Sequence, residues 1–340
     1  MYPGIILISI FIYGLLLPAP NSATYYGVNE CNGEVTTDGS RLLIIICKDM
    51  ELTTVPTFKN PPQVLHYELT LAGNQIQMIG DNAFPHLTLY RLDLTGNPLQ
   101  QISSLAFAGL EALVELLLSL DSNAEFPTAA LARLTALKML IVDGFSKTVL
   151  PSDALLPLIN LEMLSLTNGG LRSLTLDDLK GKPKLGVLDL EGNQFIAVPK
   201  DALTNAGNLT VLDMNRNKIA NIGAGAFSSA PRLQVLDLSQ NPLGDGTIDP
   251  NAFNGLETTL RDLAIKTSRL TNVHLLSLTS LRALVNLNII YNDVMNIDIL
   301  LGSMNQLQSL NADTNKIAIL HSSTFAIVGK TLQVSMRTFS

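Results

Sequence analysis

From residue 66 onward one pattern of apolar and polar positions recurs: apolar-x-x-apolar-x-apolar-x-x-Asn-x-apolar. The first copies are His66-x-x-Leu69-x-Leu71-x-x-Asn74-x-Ile76 and Leu89-x-x-Leu92-x-Leu94-x-x-Asn97-x-Leu99. Later copies read Leu185/Leu188/Leu190/Asn193/Phe195, Leu209/Leu212/Met214/Asn217/Ile219, Leu233/Leu236/Leu238/Asn241/Leu243 and Leu307/Leu310/Ala312/Asn315/Ile317. The units begin at 66, 89, 113, 137, 161, 185, 209, 233, 260, 284 and 307, so the steps are 23, six of 24, then 27, 24 and 23. Around the central leucines the period is two. That predicts a short strand with one face buried and the alternate side chains toward solvent.

The second half of each unit repeats as well. An apolar residue stands 13 positions after the start, as in Ile79, Ile102, Phe126, Leu150, Leu174, Val198, Ile222, Val273, Ile297 and Leu320. A Phe or Leu stands at 18, as in Phe84, Phe107, Leu131, Leu155, Leu179, Leu203, Phe227, Leu278 and Phe325. In the 27-residue unit these become Ile248 and Phe253, so its extra residues enter through Gly244-Asp245-Gly246, read as a loop bulge at the edge.

One strand plus one return segment cannot bury its apolar side alone. Stacking such units as parallel strands about 4.8 Å apart closes a continuous core. The Asn after each strand is expected to be buried, its amide pairing with backbone groups that would otherwise lack partners. The period and residue types are those of a leucine-rich repeat. The expected fold is an α/β solenoid, a leucine-rich repeat horseshoe with a parallel concave β-sheet and about eleven repeats.

Composition agrees. Of 340 residues, 63 are Leu and 27 are Asn, with no Trp, 4 His and 2 Cys. A length that would ordinarily mean two domains is instead explained by one elongated core. The net charge of -7, without a basic stripe, argues against nucleic acid. The 47% hydrophobic content excludes disorder. The single long apolar run, Gly4 to Leu17, has 14 residues, short for a bilayer span. Pro18-Ala19-Pro20-Asn21-Ser22-Ala23 follows it and suits cleavage near Ala23. Residues 1–23 are therefore read as a secretory signal, although no Lys or Arg precedes the run; the alternative is a short membrane anchor.

Units of 24 with the additional Phe position resemble extracellular leucine-rich repeats, such as those of Toll-like receptor ectodomains, small leucine-rich proteoglycans and Slit-like adhesion proteins. The resemblance covers roughly residues 66–325. Cys47-Lys48-Asp49-Met50-Glu51-Leu52-Thr53-Thr54-Val55-Pro56 resembles the end of that family's cysteine-bearing N-terminal cap, here with two cysteines in place of the usual four. Two cysteines behind a signal peptide favour one disulfide, Cys31–Cys47, over two free thiols. In the chain-entropy model its loop is worth about 3 kcal/mol. The resulting organisation is 1–23 signal peptide, 24–65 disulfide-stapled N-terminal cap, 66–330 repeats, and 331–340 an incomplete last repeat or truncated end. The frame would restart at Leu332, yet Ser335 and Arg337 fall where Leu is expected and no cysteine cap follows. Truncation or a minimal end is the favoured reading there, with homodimerisation through the uncapped C-terminal end as the alternative.

Side chains between the inward leucines face the expected concave surface. The middle positions are Thr70, Asp93, Leu117, Ile141, Ser165, Asp189, Asp213, Asp237, Ala264, Asn288 and Asn311. Flanking positions add Glu68, Glu115, Asp143, Glu191, Asp262 and Asp313 against Arg91 and Lys266. Such a surface favours a basic protein ligand, chiefly by speeding its encounter; the competing account is that Asp stands there for local reasons. Repeats three to five differ. Leu117, Leu120, Met139, Ile141 and Met163 are expected to form an exposed apolar cluster, and Asp121, Phe145 and Gly169 replace the Asn. Lys147 falls at a core position. Local rules failing over consecutive units mark either a contact patch or drift. Asn208-Leu209-Thr210 is a glycosylation sequon.

Catalysis finds no support in the sequence. His66, His86, His274 and His321 are scattered, and His274 and His321 lie two repeats apart, too far for one zinc. Gly223-Ala224-Gly225 lacks the rest of a nucleotide loop, and no nucleophile elbow is present. No cofactor or metal is expected. The resemblance implies a secreted protein-binding molecule of recognition or adhesion, in innate immunity or cell-surface signalling. Its alternatives are a structural matrix component of the small-proteoglycan type or the ectodomain of a transmembrane receptor.

Overall fold

The computed structural model describes residues 31–35, 42–58, 66–318 and 332–335. The signal segment 1–23, Leu320, His321 and Phe325 lie outside them. The chain divides into two compact units, one ending at Leu185 and the other beginning at Gly186. Each is a parallel-sheet solenoid, and together they make about eleven turns.

In the N-terminal unit, Asn32–Val35 pairs antiparallel with Leu42–Ile46. The latter pairs in parallel with His66–Thr70, and the ladder continues through Leu89–Leu99, Glu115–Leu120, Met139–Asp143 and Met163–Thr167. Cys31 and Cys47 form a disulfide across the hairpin, with Cα atoms 4.7 Å apart. Leu43 and Ile45 thus supply an inward pair one turn ahead of the first repeat, fully buried. In the C-terminal unit the strands are three residues each: Val187–Asp189, Val211–Asp213, Val235–Asp237, Asp262–Ala264, Asn286–Asn288, Ser309–Asn311 and Gln333–Ser335, all in parallel register.

The frame's Leu positions make the core. Leu69, Leu92, Leu116, Leu140 and Leu164, and in the other unit Leu188, Leu212, Leu236, Leu263, Leu287 and Leu310, are all buried. Burying so much apolar area is the main stabilising term. Helix is scarce. The return segments are turns with four-residue helices at Thr128–Leu131, Lys200–Leu203, Asn272–Leu275 and Asp298–Leu301. The phenylalanines stack between neighbouring turns, Phe84 on Phe107 at 6.3 Å and Phe227 on Phe253 at 5.5 Å.

The asparagines act as expected. Asn241 Nδ2 donates to Met214 O at 2.9 Å in the preceding turn and to Leu238 O at 3.0 Å in its own, while its Oδ1 accepts from Ile219 N at 2.9 Å. Asn74, Asn97, Asn217 and Asn292 repeat this clasp. Each amide thereby satisfies buried backbone groups on two turns at once.

Four expectations are corrected. Tyr67, not His66, pairs with Leu89 and is buried, because a bulge between Tyr67 and Glu68 shifts the first strand by one residue. Val273 is 68% exposed on the short helix and Leu275 is buried there instead, while Leu278 is buried as its place in the frame predicts. The bulge at Gly244 stays where the sequence puts it, as the 3-10 turn Leu243–Asp245, and a Cβ there would sit 1.9 Å from Arg269 O in the next turn, so the 27-residue unit needs glycine to pack. Lys147 is exposed and pairs with Glu125 at 3.0 Å; Phe145 takes the buried ladder place and packs edge-on against Phe126 at 5.2 Å. At the C-terminal end Val334 pairs with Leu310, so the frame restarts at 331, and Ser335 belongs to the sheet face, where its hydroxyl donates to Asp313.

Candidate functional site

Each unit presents one sheet face covered by three columns of side chains. In the C-terminal unit the first column begins Val187, Val211 and Val235, and the second Asp189, Asp213 and Asp237, because the triplet Val-Leu-Asp recurs at a spacing of 24. Strand pairing is residue for residue, so Val meets Val and Asp meets Asp across the ladder. The three valines pack into one cluster. The aspartates are almost covered, at 1%, 6% and 5% exposure.

Each aspartate caps its own turn. Asp189 Oδ1 accepts from Glu191 N at 3.0 Å, Asp213 Oδ1 from Asn215 N at 2.8 Å and Nδ2 at 2.7 Å, and Asp237 Oδ1 from Ser239 N at 2.8 Å. Asp93 does the same for Thr95 N at 3.0 Å. In later turns Asn288 and Asn311 hold the same place and accept from Ile290 N and Asp313 N. The turn needs an oxygen acceptor, and a charge is not required.

Charge is therefore the distinguishing property of this row. Lys266 Nζ lies 3.8 Å from Asp237 Oδ2 at one end, and Arg216 is engaged by Glu191 at 3.2 Å. Burial, then Asp237 and Asp189, hold the Asp213 carboxyl well above the ordinary carboxylate range. Burial also raises Asp237, against the pull of Lys266. Asp189, Glu191 and Asp213 each have a carboxylate oxygen within 4.8 Å of the others, an all-oxygen set of the kind hard cations take. Turn N–H groups hold the Asp189 and Asp213 carboxylates, and Arg216 holds that of Glu191.

The face of the N-terminal unit differs. Its columns are Glu68, Arg91, Glu115, Met139, Met163 and Thr70, Asp93, Leu117, Ile141, Ser165. Arg91 and Glu115 form a 2.5 Å ion pair, and Glu68, half-buried beside them, is raised by burial against the pull of Arg91. Asp143 accepts from Thr167 Oγ1 at 3.0 Å and Asn168 Nδ2 at 2.8 Å. The expected exposed apolar cluster is not exposed: Leu117, Leu120, Met139, Ile141 and Met163 lie at 4–8% exposure. Cross-strand neighbours cover one another, Leu117 against Ile141 and Met139 against Met163. This is a lid of packed side chains over the sheet and no open patch.

Two features escaped the sequence reading. The valine stripe follows from the repeated Val-Leu-Asp triplet, whose first residue takes the same face as the acid. Lys182 stands where other turns bury Leu110, Leu134, Leu158 and Ala206; it is 1% exposed, its Nζ donates to Lys180 O at 3.0 Å, and burial lowers its pKa. At the sequon, Leu209 is buried and Asn208 exposed, its Oδ1 accepting from Arg232, while Thr210 Oγ1 donates to Gly186 O at 3.0 Å.

The leucine rich repeat family model matches residues 67–124, 183–243 and 207–259. No curated protein matches the chain. Among solved structures, an internalin from Listeria monocytogenes is similar with a TM-score of 0.59 at 21% identity, covering 87% of this chain and 87% of that one. At that identity the likeness concerns the fold, and together with the matched repeats it shows a solenoid with the leucine-rich repeat fold.

Proposed function

We propose that this chain is a secreted protein-binding scaffold whose ligand site is the sheet face of residues 186–340, and that the ligand presents cationic and apolar side chains together. Leucine-rich repeats generally serve protein binding. The observation that carries the finer reading is the pairing of a valine column with a carboxylate column, Val187/Val211/Val235 beside Asp189/Asp213/Asp237, with Glu191 in the next column. An apolar strip beside fixed negative charge provides contact area from one column and selection for cations from the other. Asp93, Glu115 and Asp143 extend acidic character to the N-terminal unit, where Leu117, Leu120, Met139, Ile141 and Met163 serve packing first. The Cys31–Cys47 disulfide supports an oxidising, extracellular setting. A glycan on Asn208 would stand before strand Val211–Asp213 and restrict approach from that edge. Open columns of side chains on a sheet face suit binding better than catalysis.

The test is affinity chromatography of extracellular fluid over the immobilised chain and over its Asp189→Asn/Asp213→Asn/Asp237→Asn variant. Basic proteins are expected on the first column, released by moderate salt, and lost from the second. Equal retention on both columns refutes the proposed face.

A further inference from the structure

The three stacked aspartates have a property that the turn does not require. Strand pairing sets Asp189 against Asp213 and Asp213 against Asp237, so three carboxylates lie in one row at the strand spacing of about 4.8 Å. All three are at least nine-tenths buried. The groups facing Asp213 are Asp189 and Glu191 from the preceding turn, Asp237 from the following one, and Lys266 beyond it, nearest to Asp237. Arg216, in the turn of Asp213 itself, is held by Glu191. The middle carboxylate thus has a like charge on either side and, among the described residues, no cationic partner. Like charges so placed do not all ionise together without cost.

We propose that Asp189, Asp213 and Asp237 form a pH-sensitive switch, in which a proton taken up by the row on acidification, held chiefly by Asp213, tightens residues 186–340 and removes negative charge from their sheet face. The direction follows from linkage. Asp213 and Asp237 are raised above the ordinary 3.8 in the folded chain, first by burial. Ionisation therefore favours the unfolded state, where the pKa is ordinary. Stability is gained as pH falls through the folded value, is complete below the unfolded value, and is lost again as pH rises. The switch rests on the reading of this face as the ligand site in one respect: proton uptake there would weaken a cationic ligand.

The test uses the chain alone, so its outcome is separate from whether any ligand binds. The Asp213 carboxyl is followed by carbon NMR against pH, and stability is measured by urea unfolding from pH 8 to pH 4 in the wild type, Asp213→Asn and Glu68→Gln. Asparagine fits the site by internal precedent, since Asn288 and Asn311 cap the equivalent turns. The expected result is an Asp213 titration well above 3.8 and a wild-type folding constant that rises on acidification by about tenfold more, per unit of raised pKa, than that of Asp213→Asn. Glu68→Gln is expected to leave that ladder-dependent difference in place. An Asp213 carboxyl titrating at 3.8 or below, or an Asp213→Asn variant with the wild-type pH slope, overturns the proposal.

Discussion

The two units use one backbone plan but differ in part of the middle column of the sheet face. In residues 66–185 that column includes Leu117 and Ile141, packed against their neighbours. In residues 186–340 it begins with Asp189, Asp213 and Asp237, equally covered but charged. Equal burial with unlike chemistry shows that depth is set by the solenoid, while the side chain decides whether depth stabilises or costs. Leu117 and Ile141 gain from their burial. The aspartate column retains ionisable groups at an energetic disadvantage, offset in part by turn N–H groups and Lys266.

The most severe way to break the contrast is to transplant the charge. Ile141→Asp places a carboxylate among Leu117, Met139 and Met163, and is expected to cost about 4 kcal/mol in urea unfolding; a loss below about 1 kcal/mol would mean that the aliphatic lid is open to water. Asn241→Leu strips the amide from Met214 O, Leu238 O and Ile219 N, with an expected loss of about 2–3 kcal/mol. Hydrogen exchange should then localise the effect to the two turns it joined. Lys182→Met works in the other direction. With an apolar residue restored at a buried frame position, stability should rise by about 1 kcal/mol, and the gain should shrink only above the lowered pKa of the amine, where the lysine is already neutral. The smallest effect is expected for Lys266→Met, below about 1 kcal/mol at neutral pH. That loss should vanish on acidification, because the lysine attracts Asp237 only while the carboxyl is ionised; a pH-independent loss would assign Lys266 to packing.

The repeat was legible because its signal is redundant. Leucine spacing, the asparagine and the return-segment phenylalanine all report one register, and buried positions such as Leu188, Leu212 and Phe227 follow from counting. Counting fails where the chain departs from one residue per place. A bulge at Tyr67/Glu68 makes Tyr67 the inward residue, and Phe145 in the asparagine's place moves Lys147 out to Glu125. The last strand begins at Gln333, one residue earlier than a frame set by Leu332, and Val334 takes the place paired with Leu310. The site was harder to read for another reason. Period two tells which face a side chain takes, but says nothing of how far neighbours cover it. Leu117 and Met163 were placed on the correct face and at the wrong depth, since cross-strand contacts at strand spacing are invisible along one strand. The same cover lies over Asp213, which is why its environment could not be inferred from the acidic composition alone.

The asparagine clasps also have a mechanical meaning. Each amide fastens one turn to the turn before it, as Asn217 does through Leu190 O and Phe195 N, so under tension the clasps act as links in series. The run through Asp121, Phe145 and Gly169 lacks the buried asparagine. Asp121 turns its carboxylate to Asn123 in its own turn, and the neighbouring turns are joined by strand pairing, by backbone bonds such as Gly170 N to Phe145 O, by side-chain packing and, toward the surface, by Thr167 and Asn168 donating to Asp143. Stretching the N-terminal unit would therefore concentrate extension between residues 121 and 169, making that segment its compliant spring and the clasped turns its rigid grips.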